Sequence, residues 1–486
     1  MSISPGGMQR KTAFYYLNSF IAIVMMFGFP HLPLIAPLTP LGMKIMGIFL
    51  GVIYAWSTVG IIWPALLGLI ALGFSGYATV PEVFQSGYGG DSYLFVFFIL
   101  IFAAIVDKAG VTEIIANWVV SREFARGKPW VLTTLLLSAA YLVAALVSVT
   151  PAIIICWGIL YKLCQVYGFS HKDKYPKLMV IGITYAGLMG QGALPYKVLP
   201  VILMGILTKQ TGAQINFVSF TILAVAIGYS TVLGYIALCK WVYKPDVSPI
   251  LKSGFVFRNT LQLNKYQKQV ICLLGALIGF LFLPGILPGD LWLTKFLKQL
   301  GNTGIVVALL SFAAFLKKKD YSGFVDFVEL IRSGVPWQSL FLLATALPLA
   351  GAMSSDSTGV KELFIQLLEP FLSTNAGPAV FVVLFFLITV LLTCVMGDVV
   401  VGLIFIPLVC AYSPSLGVSP EMMTIALSIT CLMGIVLPSS SPVAALLHGN
   451  SEWVSSTEIY RYSIPHTVLA ALIGAAVCLV VGGLLF

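Results

Sequence analysis

The chain has 486 residues, of which 59% are hydrophobic and only 9% are charged. A soluble domain usually carries about 25% charged residues, so this composition excludes a water-soluble protein. The apolar runs are continuous rather than alternating, which predicts an all-α polytopic membrane protein with roughly ten to twelve transmembrane helices.

The basic residues lie between the apolar runs and outnumber the acidic ones, 27 to 18. Such an excess is typical of cytoplasmic loops, so we expect a multi-pass protein of the inner (plasma) membrane with a cytoplasmic N-terminus. No aromatic-basic motif accompanies the charges, which argues against a nucleic-acid partner. The first apolar run, Phe14–Phe29, is predicted to be a retained span. The basic segments are Arg10–Lys11, Arg122–Lys128, Lys162–Lys177, Lys240–Lys268 and Lys317–Lys319.

No motif for catalysis or metal binding stands out along the chain. The eight cysteines form no Cys-x-x-Cys pair, and the histidines His31, His171, His448 and His466 lack metal-ligand spacing. We expect these histidines at interfaces, except His448, which is expected near the binding cavity. Because catalytic signatures and an ATP-binding glycine loop are missing too, the sequence predicts neither an enzyme nor an ATP-driven pump, and no cofactor.

Glycine, proline and serine interrupt four apolar runs where a simple spanning helix would continue. Backbone groups freed by such residues at membrane depth must be buried in protein or line a wet cavity. The interruptions come in matched order: Ser148 and Leu194 are 46 positions apart, and Gly397 and Ser440 are 43 apart. Hinge residues without function are the alternative, but paired interruptions in two halves favour a secondary transporter site. The interruptions are Ser148–Pro151, Gly187–Pro195, Met396–Asp398 and Leu437–Pro442.

At these interruptions the chain resembles the divalent anion/sodium symporter family of the ion-transporter superfamily. Ser148-Val149-Thr150 aligns with the first Ser-Asn-Thr hairpin tip of that family, and Gly397-Asp398-Val399 aligns with the second. The two interrupted helices that carry Thr-Pro-Pro align with Gly190–Lys197 and Leu437–Leu447. The resemblance extends from about Phe14 to the C-terminus, so it covers nearly the whole chain.

The resemblance implies two inverted repeats, each with a re-entrant hairpin and an interrupted helix. It also implies an elevator-type movement and a homodimer formed through scaffold helices. We accordingly expect N-terminal scaffold helices in residues 1–80, the first repeat in 81–239, a polar cytoplasmic linker in 240–268, and the second repeat with further scaffold helices in 269–486.

The aligned motifs depart from the family at the positions that carry its chemistry. Both asparagines are lost, one to Val149, and the first Thr-Pro-Pro-Asn has become Leu194-Pro195-Tyr196-Lys197. In the family those residues hold substrate carboxylates, while serine, asparagine and backbone carbonyls hold sodium. By position, sodium would fall to Ser148 and Gly192. The substrate contacts that the resemblance implies are Ser148, Val149, Thr150, Gly190, Gln191, Gly192, Pro195, Lys197, Gly397, Asp398, Val399, Ser440, Ser441 and Pro442.

Two charges lie inside long uncharged stretches at these motifs. Lys197 is the only charged residue between Leu178 and Thr208, and Asp398 is the only one between Ala379 and Tyr412. A lone charge at the centre of a membrane helix raises the free energy of membrane insertion by about 2.5–3.5 kcal/mol, so a structural or functional role is expected for each of the two residues. Each could snorkel to an interface, the two could pair across the halves, or Lys197 could replace a sodium ion while Asp398 carries a coupling proton.

Together these features predict a secondary active transporter of a small organic anion of the di- or tricarboxylate class. Coupling is expected to a proton, or by exchange, rather than to two sodium ions. The alternative is a proton-coupled carrier of a neutral, zwitterionic or cationic solute that is anchored by Asp398. The expected partners are the small-molecule substrate, the lipid bilayer and a second copy of the chain.

Overall fold

The structure is a computed structural model that describes residues 13–121, 127–252, 263–315, 326–353, 355–360, 362–363, 366, 377–438 and 440–486. Within these ranges the regular structure is entirely helical. The helices are α1 Ala13–Gly28, α2 Pro40–Thr58, α3 Ile62–Phe74, α4 Val80–Tyr88, α5 Asp91–Lys108, α6 Val111–Val120, α7 Pro129–Leu146, α8 Val149–Tyr167, α9 Lys174–Gln191, α10 Val198–Thr211, α11 Phe217–Ala237, α12 Ser248–Lys252, α13 Lys265–Ile286, α14 Trp292–Phe315, α15 Phe327–Gly334, α16 Trp337–Met353, α17 Gly377–Val395, α18 Asp398–Tyr412, α19 Pro420–Thr430, α20 Pro442–Gly449, α21 Ser456–Val477 and α22 Gly483–Leu485.

Nine helices of the described ranges are long and apolar enough to cross a membrane. The bent pair of α4 and α5, which meet at 43°, brings the number to ten. Helices satisfy every backbone polar group internally, which is why an apolar chain of this kind adopts them in lipid. The prediction of a polytopic all-α membrane protein is therefore confirmed, whereas the two inverted repeats stay a prediction.

The chain forms two compact units, and the first contains the described parts of residues 1–93 and 337–370. In it α16 packs against α2, α3 and α4. The Thr345 hydroxyl donates to the Ala65 carbonyl at 3.0 Å, and a Cβ at Gly87 would lie 2.3 Å from the Ala344 carbonyl oxygen. Glycine at position 87 thus lets α4 approach the backbone of α16 directly.

The second unit contains the described parts of residues 94–336 and 371–486, and the interrupted helices lie in it. Its centre is α9, which is buried on nearly all sides and packs against α7, α8 and α11. Tyr185 of α9 donates to the Thr231 hydroxyl at 2.9 Å, and Tyr235 donates to the Leu178 carbonyl at 2.7 Å. These bonds satisfy the buried phenol groups, so the polar groups fix α9 against α11 at little cost.

One histidine does not lie where the sequence suggested. His466 of α21 is 0% exposed and meets the rings of Tyr185 and Tyr235 edge-on. Neither ring nitrogen has a hydrogen-bond partner among the described residues, and the same is true of the neighbouring Ser463 and Thr467 hydroxyls. The expectation of an interfacial position was wrong for His466, because α21 packs against α11 and α17 over much of its length.

Candidate functional site

The helices of the second unit are interrupted at the four places where glycine, proline and serine interrupt the sequence. In the first half, α7 ends at Leu146 and α8 begins at Val149. Further along, α9 ends at Gln191 and α10 begins at Val198. In the second half the corresponding ends lie between α17 and α18, and between the 3₁₀ turn that follows α19 and the start of α20.

In the first half, two side chains bind the carboxyl end of α7. The Lys197 ammonium donates to the Val147 carbonyl oxygen at 2.9 Å, and the Tyr196 hydroxyl donates to the Ala145 carbonyl at 3.4 Å. The last carbonyls of a helix have no partner in the helix and carry its negative dipole end, so a cation is favourable there. Lys197 therefore places its positive charge where a bound cation would offset the partial negative charge at the carboxyl end of α7.

In the second half, Asp398 is the first residue of α18 and follows Gly397, which forms the N-cap. One carboxylate oxygen of Asp398 accepts the backbone N–H of Val399 at 2.8 Å. A negative charge is favourable at a helix N-terminus, so the position is electrostatically suitable for an ionised carboxylate. No ion pair joins Asp398 to Lys197, both of which the structure describes.

The second interrupted helix uses its hydroxyls to hold its own loop together. The Ser440 hydroxyl donates to the carbonyls of Gly434 and Leu437 at 3.0 and 2.7 Å. Ser441 caps α20 by accepting the Ala444 N–H at 3.0 Å, and Pro442 begins the helix. Ser439 lies outside the described residues. The serines that align with substrate ligands thus have backbone partners in this conformation.

The two halves hold their interrupted elements in a similar way. A Cβ at Gly190 would lie 2.1 Å from the Tyr141 carbonyl oxygen of α7, and one at Gly434 would lie 2.4 Å from the Thr393 carbonyl oxygen of α17. Thr393 also donates its hydroxyl to the Cys431 carbonyl at 2.5 Å. In each half, therefore, a glycine lets the interrupted element touch the backbone of the helix before the first break.

The helix that follows Lys197 packs against the helix that begins at Asp398. A Cβ at Gly402 of α18 would contact the side chains of Leu203 and Leu199 of α10 at 3.1 and 3.5 Å. The first halves of α10 and α18 are therefore neighbours, although they come from opposite halves of the chain. The structure brings together the segments that carry the two charges without placing the charges in contact.

The remaining predicted site residues differ in exposure. Gly190, Gly192 and Pro195 are buried, while Ser148, Val149 and Gln191 are half-buried and Thr150 is exposed. Gly192 faces the side chains of Ile429 and Leu432, and Ser148 makes no capping bond with its hydroxyl.

The assignment of sodium to Ser148 and Gly192 stays a prediction, and the geometry does not favour it. The Val147 carbonyl beside Ser148 accepts from the Lys197 ammonium, and apolar side chains face Gly192. Sodium needs several free oxygen ligands, and the surroundings of Ser148 and Gly192 do not offer such a set in this conformation.

A cavity of about 420 Å³, partly open to its surroundings, lies beside the first break. Lys197, Tyr196 and Val147 form part of its wall, and Lys197 is the only charged residue among the described residues that line it. We call it the Lys197 cavity. Apolar side chains of α5 and α13 also line the cavity, among them Ile99, Phe102, Val106, Leu274 and Leu277.

The sequence did not indicate these wall residues, because in α5 and α13 they resemble any apolar residue of a spanning helix. The expectation that His448 lies near the binding cavity stays a prediction, because His448 is not among the residues that line the Lys197 cavity. Its ring nitrogens lie 3.0 Å from the Val436 carbonyl and 3.1 Å from the Ser456 hydroxyl, so His448 holds the loop of the second interrupted helix.

Comparisons with known proteins find matches among membrane transporters. Residues 49–430 match the sequence model of the family described as CitMHS, citrate transporter. An uncharacterized transporter of Methanocaldococcus jannaschii is 23% identical over 351 residues, which are 70% of this chain and 71% of that protein. The crystal structure of the YdaH transporter of Alcanivorax borkumensis matches with a TM-score of 0.57 and 13% identity, over 83% of this chain and 87% of that chain. At that identity the likeness shows a shared fold alone.

Proposed function

Because the chain belongs to the citrate transporter family, we propose that it moves a small organic anion by secondary active transport, with Lys197 as the fixed positive charge of the site. It is a membrane transport protein rather than an enzyme. The family lies in the ion-transporter superfamily that the sequence motifs resemble, and the narrower assignment to divalent anion/sodium symporters remains a prediction. Di- and tricarboxylates are the first substrates to test, because the family description names citrate as the transported substrate.

The contact between Lys197 and the end of α7 is the observation that carries this proposal. A carrier must neutralise an anion in a low-dielectric site, and bound sodium ions are one means of doing so. In this chain an ammonium lies 2.9 Å from the Val147 carbonyl, at the negative end of a helix where a sodium ion would also be stable. A built-in cation makes one coupling ion unnecessary.

In this proposal Asp398 is the residue that carries the coupling proton. An ionised carboxylate beside an anionic substrate would repel it, so anion binding favours protonation of Asp398. Proton coupling follows if Asp398 releases that proton after the site opens to the other side. Exchange of one anion for another is the alternative coupling.

The conformational change that carries the substrate across the membrane is proposed to be of the elevator type, in a homodimer of the plasma membrane.

The test is uptake of labelled citrate, succinate and hexanoate into proteoliposomes under three separate conditions: an inward proton gradient, an inward sodium gradient, and internal unlabelled anion. We expect uptake under the first or the third condition and no requirement for sodium. Strict dependence on external sodium would contradict the proposal.

A matched pair of variants tests the role of Lys197 directly. Lys197→Gln removes the charge at the start of α10, whereas Lys209→Gln removes a charge from the last turn of the same helix. Loss of a charge that is paired with an anion in a dry site costs roughly 3–5 kcal/mol, so Lys197→Gln should reduce uptake at least 100-fold. Lys209→Gln should retain most of the uptake. Equal losses in the two variants would show that the site lies elsewhere.

The second candidate function is a proton-coupled carrier of a neutral, zwitterionic or cationic solute that Asp398 anchors. The observation that favours it is the carboxylate at the start of α18, which has no cationic partner among the described residues. Asp398→Asn distinguishes the two functions in a screen of labelled solutes. A cation carrier should lose binding in this variant, whereas an anion carrier should retain it.

A further inference from the structure

We propose that the Lys197 cavity binds a monoanion, meaning one carboxylate attached to an apolar body, in preference to a di- or tricarboxylate. The inference rests on the proposed function, in which Lys197 holds an anionic substrate, and it narrows the substrate class. The family description favours several carboxylates, but the wall of this cavity favours a single one.

The number of cations sets the number of carboxylates. An ammonium has three N–H donors, of which Lys197 uses one for the Val147 carbonyl at 2.9 Å. The two that remain suffice for one carboxylate, and charge-assisted bonds of this kind are the strong ones. No second cation lines the cavity within the described part of the chain. A second carboxylate would therefore lose its hydration without gaining a partner.

The wall determines what the rest of the ligand must be. Apart from Tyr196 and Lys197, every described residue of the wall is apolar. The Tyr196 hydroxyl already donates to the Ala145 carbonyl. Leu277 of α13 and Ile99 and Phe102 of α5 are buried, so they offer hydrocarbon rather than water to a ligand. Methylene groups or an aromatic ring would gain free energy by leaving water here, whereas hydroxyl or carboxylate groups would lose it.

The volume limits the size of the apolar body. The volume of about 420 Å³ includes space that is open to the surroundings, so the enclosed part of the cavity admits only a short apolar body. Each methylene that enters hydrocarbon raises affinity about fourfold. Affinity for straight-chain carboxylates should rise by this factor at each added carbon and then stop rising when the cavity is full.

The experiment measures the affinity of the purified full-length protein for n-alkanoates of increasing length and for citrate. The most informative pair is hexanoate and adipate, which have the same number of carbons and differ in a second carboxylate at the far end. We expect affinity to rise along the alkanoates to a plateau, and hexanoate to bind at least tenfold more tightly than adipate. Lys197→Gln should abolish binding of every member while leaving any partitioning into detergent or lipid unchanged.

Two variants at a single wall position provide a control that does not change the charge. Ala103 of α5 lines the cavity and is half-buried, so Ala103→Phe should occupy part of the space, whereas Ala103→Ser should not. With Ala103→Phe the plateau should move to a shorter alkanoate, and the affinity for acetate should stay within about threefold. Thermal unfolding of both variants identifies any that fail to fold, and Ala103→Val gives a smaller substitution for the same comparison.

The outcomes separate the inference from the function on which it rests. Lys197-dependent binding of adipate or citrate that equals or exceeds that of hexanoate would overturn the inference and leave the anion carrier intact. Affinity that rises without a plateau in both wild type and Lys197→Gln would mean partitioning into lipid, which also overturns it. If no anion bound in a Lys197-dependent manner, the proposed function itself would fail.

Discussion

Asp398 is held at the first position of α18 by a contact with the N–H of its own neighbour Val399. We expect Asp398→Asn to remove the dependence of uptake on external pH. The amide oxygen of asparagine can still accept the Val399 N–H, but the amide does not take up or release a proton in this pH range. In the wild type, uptake should rise as external pH falls, since protonation of Asp398 lets the anion bind. Proton–substrate coupling of this kind usually changes affinity by about 5–150-fold. Initial rates of uptake at several external pH values measure this pH dependence. If Asp398→Asn had the same pH profile as the wild type, Asp398 would be excluded as the proton site.

His466 gives a prediction about stability at the same scale. Its ring nitrogens are fully buried without a hydrogen-bond partner among the described residues. Replacing an unsatisfied buried polar group by an apolar one of similar size is neutral or stabilising, so His466→Leu should keep or raise the midpoint of thermal unfolding in detergent. Tyr185→Phe is the control, because it removes a satisfied bond to Thr231 and should cost about 0.5–1.5 kcal/mol. A large loss of stability in His466→Leu would show that an unseen partner, such as a buried water, satisfies the ring.

Between elements, the close approach of glycine to a neighbouring backbone holds each interrupted helix. Gly190→Ala would place a methyl group 2.1 Å from the Tyr141 carbonyl oxygen, and Gly434→Ala would place one 2.4 Å from that of Thr393. Neither backbone can move without separating helices, so each variant should lose roughly 1–3 kcal/mol. Gly158→Ala on α8 is the matched control: nothing lies within 4 Å of its Cβ, and alanine favours a helix over glycine by about 0.5–1 kcal/mol. Thermal unfolding of the three variants tests this, and equal midpoints for all of them would refute the close contacts.

The ends of these elements could be predicted from the sequence, but their partners could not. Glycine, proline and serine act within about one turn of where they stand, so the interruptions at Ser148 and Gly397 were visible in the sequence. The bond from Lys197 to Val147 joins residues 50 positions apart and depends on how α10 meets the end of α7. Hydropathy likewise cannot distinguish Leu277, which faces a cavity, from a leucine that faces lipid. The sequence was thus sufficient to single out Lys197 and Asp398 as candidate site residues, but not to predict the cavity beside Lys197.

At the scale of the whole chain, the basic residues indicate how the protein lies in the membrane. Lys174 at the start of α9 donates to the Tyr243 carbonyl beyond the end of α11, and Lys177 forms an ion pair of 2.6 Å with Glu458 at the start of α21. These helix ends therefore lie at one end of the second unit, together with Lys240 and Lys244. An excess of lysine and arginine marks cytoplasmic loops, so this end of the second unit should face the cytoplasm.

Cysteine labelling at the two ends of α13 tests this orientation. The helix runs from Lys265 to Ile286, and its 22 residues span about 33 Å, enough to cross the hydrocarbon core. Lys265 follows the basic linker and Asp290 follows the opposite end of the helix, and both are exposed. A membrane-impermeant maleimide applied to intact cells should label Asp290→Cys and not Lys265→Cys, and inside-out vesicles should reverse the pattern. The wild type is the control for the native cysteines, which lie in or beside apolar segments where the reactive thiolate is disfavoured. Labelling of Lys265→Cys from outside the cell would mean that the charge distribution does not set the orientation of this protein.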